Sequence, residues 1–225
     1  LTQKVIWVYE VKTVFTCIII YTDDIIVIND GSTDNTRAIL SEIKGIAVLS
    51  YSPNEGKGKA LQKGFKHAAE KGYDYAITLD SDGQHLAKDL PNFIDKLEDN
   101  PGCLIVGARN MDQEHIPGGS SFGHKFSNFW YWVETGIKLP DTQSGYRLYP
   151  LKQMNEMTFF TGKYEFEIEN IVRAAWKGVD VTSVPVSVIY QEGDERVTHF
   201  RPYDFFRISL LNTALVVLAF VIFIP

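Results

Sequence analysis

Two aspartates separated by one residue, Asp80 and Asp82, directly follow the apolar run of residues 75–79. The run predicts a buried strand, so both carboxylates lie at its carboxyl end. In an open α/β sheet that end faces the ligand crevice, and two carboxylates there repel each other unless a cation lies between them. A hard divalent ion such as Mg²⁺ or Mn²⁺ prefers oxygen ligands and takes further ones from a diphosphate. The pair predicts a metal site, to which Gln84 adds an amide oxygen; the alternative is a solvated acidic turn.

A second polar group follows another predicted strand. Asp30, Gly31 and Ser32 come directly after the apolar run of residues 25–29. Glycine at this position permits a close backbone approach to a ligand, and Asp30 can accept hydrogen bonds from a base or ribose. A plain helix cap is the alternative, and it accounts for Ser32 and Thr33 but not for Asp30.

A lysine between two glycines begins the next helical segment. Lys57 stands between Gly56 and Gly58, shortly after Asn54. We expect this backbone to lie close to a ligand, with Asn54 and the lysine ammonium group within reach of it. The spacing is not that of a P-loop ATPase. Because the three polar groups follow successive strands of one sheet, we expect them to converge on one crevice.

The elements that must position these groups alternate along the chain. Strands are predicted at 15–20, 25–29, 46–50, 75–79, 103–107 and 180–190, and helices at 33–43, 57–71, 87–98, from about 126, and at 165–177. Strands that are apolar throughout favour a mostly parallel sheet with helices on both faces, the α/β class. Residues 109–124 are rich in Gly, Ser and His and predict a mobile loop that closes over a bound ligand.

The first two predicted strands are too close together along the chain. Only four residues separate Ile20 from Ile25, whereas a parallel neighbour requires a crossover of about a dozen residues or more. The strands either form a hairpin or belong to a chain that lacks residues between Ile20 and Tyr21. We favour a missing segment.

The bulk composition narrows the class of protein. With 225 residues, 45% of them hydrophobic, the chain can build a substantial core, and a net charge of −6 argues against a nucleic-acid partner. Cys17 and Cys103 lie in apolar runs and predict buried free thiols in a reducing compartment rather than a disulfide. Residues 1–14 carry charges and lack an apolar core, so we expect no signal peptide there.

The C-terminal segment is strongly apolar. Residues 208–225 carry no charge, and about 18 residues is the lower limit for a membrane span. Arg201 and Arg207 precede the segment, as the positive-inside rule places them when the preceding domain lies on the cytoplasmic face. A buried core helix is the alternative. We expect a folded domain at 1–202 and the start of a membrane-associated or transmembrane helix at 203–225.

Six segments, taken in order, resemble a family 2 glycosyltransferase of the GT-A fold, in the branch of dolichyl-phosphate mannose synthase and bacterial polyprenyl-phosphate glycosyltransferases. They are VINDGSTDNT, NEGKGKALQKG, LDSDGQH, GARN, DTQSGYRLYP and YEFEIE. The resemblance implies that Asp30 contacts the nucleotide base or ribose and that Lys57 lies near the nucleotide. It also implies that Asp80 and Asp82 bind the metal and diphosphate, with Gln84 as a further ligand. The family's Pro-x-Tyr-Asn-type loop after the first strand is not present, which favours the missing segment.

The resemblance leaves two acceptor chemistries open. A sugar hydroxyl needs a carboxylate base, for which Glu167 and Asp141 are the candidates. A lipid phosphate is already ionised and needs cations instead, for which Arg109, Arg147 and Arg196 match the family's acceptor loops. The alternative for each arginine is a surface salt bridge, and for Glu167 it is an acidic first helical turn.

The activity implied by the resemblance is metal-dependent, inverting transfer of a sugar from a UDP- or GDP-linked donor to a polyprenyl phosphate or a related lipid-linked acceptor at a membrane. A glycan hydroxyl acceptor is an alternative, as is a non-catalytic, membrane-tethered protein that binds sugar nucleotides. A processive polysaccharide synthase is disfavoured because no Gln-x-x-Arg-Trp segment is present. A nucleotidyltransferase would normally show a glycine- and basic-rich loop after the first strand. The sequence leaves the sugar, the base and the acceptor undetermined.

Overall fold

The computed structural model describes residues 2–7, 18, 20–80, 82–110, 118–189 and 202–223. Its strands are β1 (Thr2–Trp7), β2 (Ile25–Asp30), β3 (Ile46–Tyr51), β4 (Tyr75–Leu79), β5 (Leu104–Arg109), β6 (Arg147–Pro150) and β7 (Val181–Val186). Its helices are α1 (Thr36–Glu42), α2 (Lys57–Glu70), α3 (Leu90–Asp99), α4 (Gly118–Thr135), α5 (Leu151–Glu156), α6 (Phe166–Trp176) and α7 (Pro202–Phe223).

The strands form one seven-stranded sheet in the order β3-β2-β1-β4-β6-β5-β7. All pairs are parallel except those of β6, which runs antiparallel to both β4 and β5. The mostly parallel α/β fold predicted from the sequence is confirmed. Because β1, β2 and β4 are parallel neighbours, their carboxyl ends meet at one edge of the sheet, and this edge carries the predicted site.

The run of apolar residues in β2 reflects the cover on both faces of the sheet. All six residues of β2 are buried. Ile26 and Ile28 belong to the core on one face, with Phe65 of α2, whereas Val27 belongs to the core on the other face, with Phe93 of α3. Side chains alternate between faces along a strand, so a doubly covered strand is apolar at consecutive positions, as at residues 25–28.

The first strand lies earlier in the chain than the sequence predicts. The predicted strand at 15–20 is wrong, since Ile18 adopts helical geometry and accepts the N–H of Tyr21 at 2.8 Å. The residues between β1 and β2, 8–24, provide a crossover long enough for two parallel strands. A strand at 15–20 would have left too short a connection. The crowding that favoured a missing segment between Ile20 and Tyr21 therefore does not arise in this fold.

The other predicted elements lie close to their predicted positions, with one exception, whereas β6 and α5 were not predicted. Strands β2, β3, β4 and β5 each begin within one residue of the prediction. The exception is the predicted loop at 109–124, because α4 begins at Gly118 and its residues up to 124 are helical. Residues 111–117 lie outside the described part of the chain, so closure of this segment over a ligand stays a prediction. Cys103 is a buried free thiol, as predicted, and Cys17 lies outside the described residues.

The C-terminal helix α7 packs one side against the core. Asn212 and Leu215 are each 2% exposed, and Arg207 forms an ion pair with Glu165 at the start of α6. Large apolar side chains project from the opposite side, namely Tyr203, Phe206, Leu210, Val217, Leu218, Phe220 and Val221. Within the described ranges, no helix combines the length and the apolar character needed to cross a membrane. The predicted membrane contact of residues 203–225 stays a prediction.

Candidate active site

The end of β2 is tied to the loop that precedes α2. The Asp30 carboxylate accepts the N–H groups of Glu55 at 2.9 Å and Gly56 at 2.8 Å, and the Asn54 side-chain amide donates to the Asp30 carbonyl at 2.7 Å. Gly31 has a φ of +71°, and a Cβ there would lie 2.5 Å from the Asn54 nitrogen. These contacts bring the second and third predicted groups together. The predicted contact of Asp30 with a base or ribose stays a prediction.

The N-cap of helix α1 is Asn35, three residues after Ser32 and two after Thr33. Helix α1 begins at Thr36, whose N–H is accepted by the Asp34 carboxylate at 3.0 Å. The N–H of Ser32 instead donates to the Asn29 side chain at 3.1 Å. The turn between β2 and α1 is therefore closed by its own side chains, and Ser32 lies beside the crevice rather than in the helix cap.

A partly buried lysine joins two carboxylates from different elements. The Lys57 ammonium, at the start of α2, lies 2.8 Å from Asp80 Oδ2 and 3.0 Å from Glu167 Oε1 in the first turn of α6. Burial opposes the ammonium charge, but the two carboxylates more than offset it and raise the pKa of Lys57 above its usual value. Burial likewise opposes ionisation of Asp80, and the lysine lowers the pKa of that carboxyl overall. Lys57 and Asp80 are thus both charged at neutral pH, and together with Glu167 they are here called the ion triad.

Asp82 differs from its neighbour Asp80 in its environment. Its Oδ1 accepts the N–H of Gln84 at 3.0 Å, and it forms no ion pair with another described residue. Burial, and then the Asp80 charge, raise the pKa of Asp82. Because this environment disfavours the ionised carboxylate, a nearby cation would stabilise it. Asp82 is therefore suited to be a metal ligand.

The oxygen donors at this edge fit a metal that shares its coordination with a substrate. Among the residues that the structure describes, no three His, Cys, Asp or Glu side chains are placed to hold a metal by themselves. Asp80, Asp82 and Gln84 nevertheless follow β4 in close succession, and the Gln84 N–H donates to Asp82. This partial set is what Mg²⁺ uses when a substrate phosphate supplies further ligands.

His85, which the sequence analysis left without a role, lies buried beside this group. It is 7% exposed and its ring lies 5.3 Å from that of Tyr146. Burial lowers the pKa of His85 to about 4, against the opposing charge of Asp80. The ring is therefore neutral at physiological pH, and it forms part of the wall of the site without adding charge.

The sequence analysis also missed Gly145. A Cβ at this position would lie 2.5 Å from Asp80 Oδ2, 2.9 Å from Lys57 Nζ and 3.1 Å from Glu167 Oε1. The backbone at Gly145 therefore forms the wall against which the ion triad packs. A glycine directly before a buried strand is a signal for such a close approach, and it was available in the segment Ser144-Gly145-Tyr146.

Arg147 corrects a prediction, because it points into the protein. It is 0% exposed, and its guanidinium donates to the carbonyl oxygens of Ser144 at 2.6 Å, Glu167 at 2.6 Å and Thr142 at 2.9 Å, and to Asn170 Oδ1 at 3.2 Å. It does not face an acceptor. It joins the segment before β6 to the first turn of α6, and so it supports the backbone around Glu167.

Replacing Arg147 by lysine should lower the free energy of unfolding by about 3 kcal/mol, because an ammonium cannot satisfy carbonyl oxygens that lie in several directions. Urea denaturation followed by circular dichroism measures this loss. Arg37→Lys, on the exposed surface of α1, is the control and should leave stability unchanged. If Arg147→Lys keeps wild-type stability and instead loses affinity for an acceptor, the inward assignment is wrong.

Asp141 corrects a second prediction, that of a catalytic base. It is 0% exposed, and Arg109 donates to it through Nε at 2.6 Å, through its second guanidinium nitrogen at 3.1 Å and through its backbone N–H at 3.2 Å. Gln143 N–H donates at 3.0 Å, and His124 Nε2 lies 3.4 Å away. Although burial opposes ionisation, His124 and Arg109 hold the pKa of this carboxyl well below its usual range. Such a carboxylate is a poor base.

The structure therefore sorts the predicted residues into groups. The ion triad brings Lys57, Asp80 and Glu167 into direct contact, and Asp82 and Gln84 follow it in the chain. Arg109 and Asp141 form a second pair close enough for both charges to act on the pKa of His85. Arg147 lies inside the fold, and Arg196 lies outside the described residues.

Comparison with known proteins gives consistent matches. The model of the family described as Glycosyl transferase family 2 matches residues 14–156. An uncharacterized protein of Methanocaldococcus jannaschii is 32% identical, covering 78% of this chain and 80% of that protein. The UDP-N-acetylglucosamine–dolichyl-phosphate N-acetylglucosaminyltransferase of Methanococcus voltae is 28% identical, covering 76% of each chain. The undecaprenyl-phosphate mannosyltransferase of Micrococcus luteus is 26% identical, covering 75% of this chain and 73% of that one.

Solved structures share the fold. Glucosyl-3-phosphoglycerate synthase from Mycobacterium tuberculosis, in complex with Mn²⁺, uridine diphosphate and phosphoglyceric acid, superposes with a TM-score of 0.64. The alignment covers 97% of this chain and 78% of that one at 19% identity. The same enzyme has also been solved with Mn²⁺ and UDP-glucose, and with Mg²⁺ and UDP. At this identity the likeness concerns the GT-A fold alone.

Proposed function

The chain belongs to glycosyl transferase family 2, and from that membership we propose that it moves a sugar from a nucleotide diphosphate to the phosphate of a polyprenyl phosphate. It is a glycosyltransferase with the GT-A fold. The observation that carries the proposal is the ion triad beside Asp82, at the edge where the parallel strands end. This group combines the oxygen donors and the ammonium that a sugar diphosphate requires.

The donor end of the site would use Asp80, Asp82 and Gln84 to hold Mg²⁺ or Mn²⁺. When bound, a divalent ion supplies positive charge that stabilises the leaving diphosphate. Lys57 keeps its charge in the buried triad and adds a fixed cation near the same group. Structural neighbours solved with Mn²⁺ or Mg²⁺ and uridine nucleotides support such a donor, and a UDP- or a GDP-linked sugar would fit this proposal.

The reaction itself is a displacement at the anomeric carbon. An acceptor oxygen forms a bond to that carbon while the bond to the diphosphate oxygen breaks, and the configuration inverts. A hydroxyl acceptor would have to lose a proton to a base, whereas an ionised phosphate oxygen attacks without one. The two predicted base candidates are engaged elsewhere, because Asp141 is buried against Arg109 and Glu167 is paired with Lys57.

This engagement favours a phosphate acceptor over a glycan hydroxyl. Relatives named as transferases of dolichyl phosphate and undecaprenyl phosphate, and one named polyprenol monophosphomannose synthase, support the same choice. Since a polyprenyl chain resides in a bilayer, we place the protein at the membrane, with the catalytic domain on the cytoplasmic face. The apolar side chains that α7 exposes are suited to that contact.

A thermal-shift panel with sugar transfer as a second readout tests the proposal. One donor among UDP- and GDP-linked sugars should raise Tm only with Mg²⁺ or Mn²⁺, because a ligand at 100 times its Kd stabilises the fold by about 2.7 kcal/mol. For a chain of this size that corresponds to a shift of about 5–10 °C. The same donor should pass labelled sugar to undecaprenyl phosphate, recovered in the organic phase.

Each outcome of the panel has a distinct meaning. Omission of metal, or addition of EDTA, should abolish both the shift and the transfer. Metal-dependent binding without transfer to any phosphate acceptor would favour the non-catalytic sugar-nucleotide-binding protein. Transfer to a glycan hydroxyl in place of the lipid phosphate would replace the proposed acceptor. If no sugar nucleotide shifts Tm under any condition, the proposed donor site is wrong.

A further inference from the structure

The chain that leads into α6 packs closely against the start of α2. The N–H of Lys59 donates to the Gly162 carbonyl at 3.0 Å. A Cβ at Gly58 would lie 2.4 Å from the Phe166 Cβ and 2.8 Å from the carbonyl carbon of Gly162. Two segments in such close contact cannot move independently. The position of Lys57, at the start of α2, therefore depends on the position of the chain that leads into α6.

The same stretch of chain carries one carboxylate of the ion triad. Glu167, in the first turn of α6, lies 3.0 Å from the Lys57 ammonium. Glu165 stands two residues earlier, and its backbone carbonyl accepts the N–H of Ile168 at 3.1 Å. Its side chain is almost fully buried, so a charge there needs a partner. Because one hydrogen-bonded turn contains both glutamates, a force on Glu165 is passed to Glu167.

The C-terminal helix α7 supplies the partner of Glu165. The Arg207 guanidinium donates to Glu165 Oε1, and the other carboxylate oxygen, Oε2, has no hydrogen-bond partner among the described residues. Arg207 is thus the cation that satisfies this buried carboxylate. The inner side of α7 also packs into the core that contains Phe166, through Leu215. An ion pair and core packing therefore join α7 to the start of α6.

We propose that Arg207 is a positioning residue that holds the ion triad in place through Glu165, so that the seating of α7 sets how well the site binds its metal and diphosphate. This inference rests on the proposed function in taking a metal diphosphate at the triad. Arg207 itself does not touch the substrate. Glu167 shares the Lys57 ammonium with Asp80. If Glu167 recedes, the ammonium pairs with Asp80 alone and competes with the metal, so metal binding should weaken.

Binding of Mn²⁺ in the presence of UDP or GDP, followed by the loss of the free ion's paramagnetic signal, tests the inference without catalysis. Arg207→Gln should weaken this binding by about 10-fold, as a displacement of well under about 1 Å would. Arg207→Lys keeps the charge and should recover part of the loss. Two controls should leave Mn²⁺ binding unchanged. Arg37→Gln makes the same charge change on the exposed surface of α1, and Ala214→Gln places the same side chain at an exposed position of α7.

Hydrogen exchange of the Lys59 amide reports on the same contact without any ligand. Because this N–H donates to the Gly162 carbonyl, it should exchange about 10-fold faster in Arg207→Gln, relative to the amides of β5. The two controls should keep the wild-type rate. Glu165→Gln breaks the same ion pair and should speed the exchange as well. The double variant should be less impaired than the product of the two single effects, since both changes remove one contact.

Kinetics separates positioning from a general loss of stability. In Arg207→Gln the Mn²⁺ concentration for half-maximal sugar transfer should rise by about 10-fold, with kcat at saturating metal within about threefold of wild type. A merely structural arginine would lower Tm and speed exchange equally at Lys59 and in β5. Such uniform exchange, together with wild-type Mn²⁺ affinity, would overturn the inference.

The two proposals fail in different ways. If Lys59 exchange depends on Arg207 but the wild type neither binds Mn²⁺ with a nucleotide nor transfers sugar, the proposed function is wrong and the positioning of the triad stands. If sugar is transferred and Arg207→Gln keeps wild-type Mn²⁺ affinity and Lys59 exchange, the positioning role is wrong and the function stands. Should Arg207→Gln fail to fold, Glu165→Gln decides, because it removes the ion pair without leaving a buried charge. Wild-type Mn²⁺ binding in that variant overturns the inference, and binding about 10-fold weaker supports it.

Discussion

Replacement of Asp82 by asparagine should reduce kcat/KM for sugar transfer by about 10³-fold, the loss typical when a group that stabilises a leaving oxyanion is removed. Asparagine keeps the shape of the side chain and its carbonyl oxygen, and it can still accept the Gln84 N–H seen at 3.0 Å. It lacks the negative charge that a hard divalent cation requires. Initial rates measured over a titration of Mg²⁺ and Mn²⁺ check the loss, and higher metal concentrations should recover part of it.

Stability should change in the opposite direction to activity. Burial and the Asp80 charge raise the pKa of Asp82, so the folded protein disfavours the ionised form. The resulting loss of stability begins once the pH exceeds the pKa of Asp82 in the unfolded chain. It grows as the pH rises toward the pKa of Asp82 in the folded protein. Removal of the charge should therefore leave Tm unchanged or slightly higher at neutral pH without metal. Asp99→Asn, an exposed position at the end of α3, makes the same charge change and should alter neither property. Full metal-dependent activity in Asp82→Asn would place the metal elsewhere.

The charges at the site explain why a lysine lies among the carboxylates. Asp80, Asp82 and Glu167 contribute three formal negative charges and Lys57 one positive charge, which leaves a formal charge of −2. A divalent cation balances that remainder, whereas a second lysine would not. The ammonium also offsets part of the negative charge that the three carboxylates would otherwise present to a diphosphate. The arrangement therefore suits a metal diphosphate better than a bare anion.

How much of the fold could be predicted depended on the burial of each strand. The strands β2 and β4 were readable because residues buried between two layers leave an apolar run with clear ends. Strand β3 was readable from its apolar residues, although it lies at the sheet edge and half of its residues are exposed. The first strand was misplaced because residues 15–20 form a more apolar run than Thr2–Trp7, and only the crossover length decides between them. The low helix propensity of Gly and Ser predicted a loop where helix α4 begins at Gly118. Tertiary contacts on the polar side of α4 override that propensity.

The site divides in the same way. Asp80 and Lys57 were predictable because strand ends and helix starts of parallel βα units meet at one edge. The burial of a side chain was not, since Arg109 and Arg147 both lie in segments that resemble the family and yet Arg147 is 0% exposed whereas the Arg109 side chain is 16% exposed. Gly145 was missed because a glycine has no side chain whose chemical type indicates a functional role. Its role depends on what lies within 3 Å of the missing Cβ.

Replacement of Gly145 by alanine should therefore have an effect far larger than one methyl group suggests. The new Cβ would meet Asp80 Oδ2 at 2.5 Å and Lys57 Nζ at 2.9 Å, closer than van der Waals contact allows. Either the wall moves back or the ion triad separates, and overpacking of this kind costs about 1–3 kcal/mol of unfolding free energy. Because the displaced groups face the diphosphate, we expect kcat/KM to fall by about 100-fold, since a misplacement of about 1 Å is enough for such a loss.

Gly123→Ala provides the matched control, since a Cβ there would meet its nearest neighbour, Gln143 Nε2, at an ordinary 3.8 Å. It makes the same substitution and should leave the metal-dependent thermal shift unchanged. Gly145→Ala should lose most of that shift, because separation of Lys57 from Asp80 changes the charge that the donor meets. A combination with Glu167→Gln tests whether the damage passes through the triad: shared damage should make the double variant less impaired than the product of the two single effects. Wild-type donor binding in Gly145→Ala would mean that the triad tolerates the methyl group and that the wall does not position it.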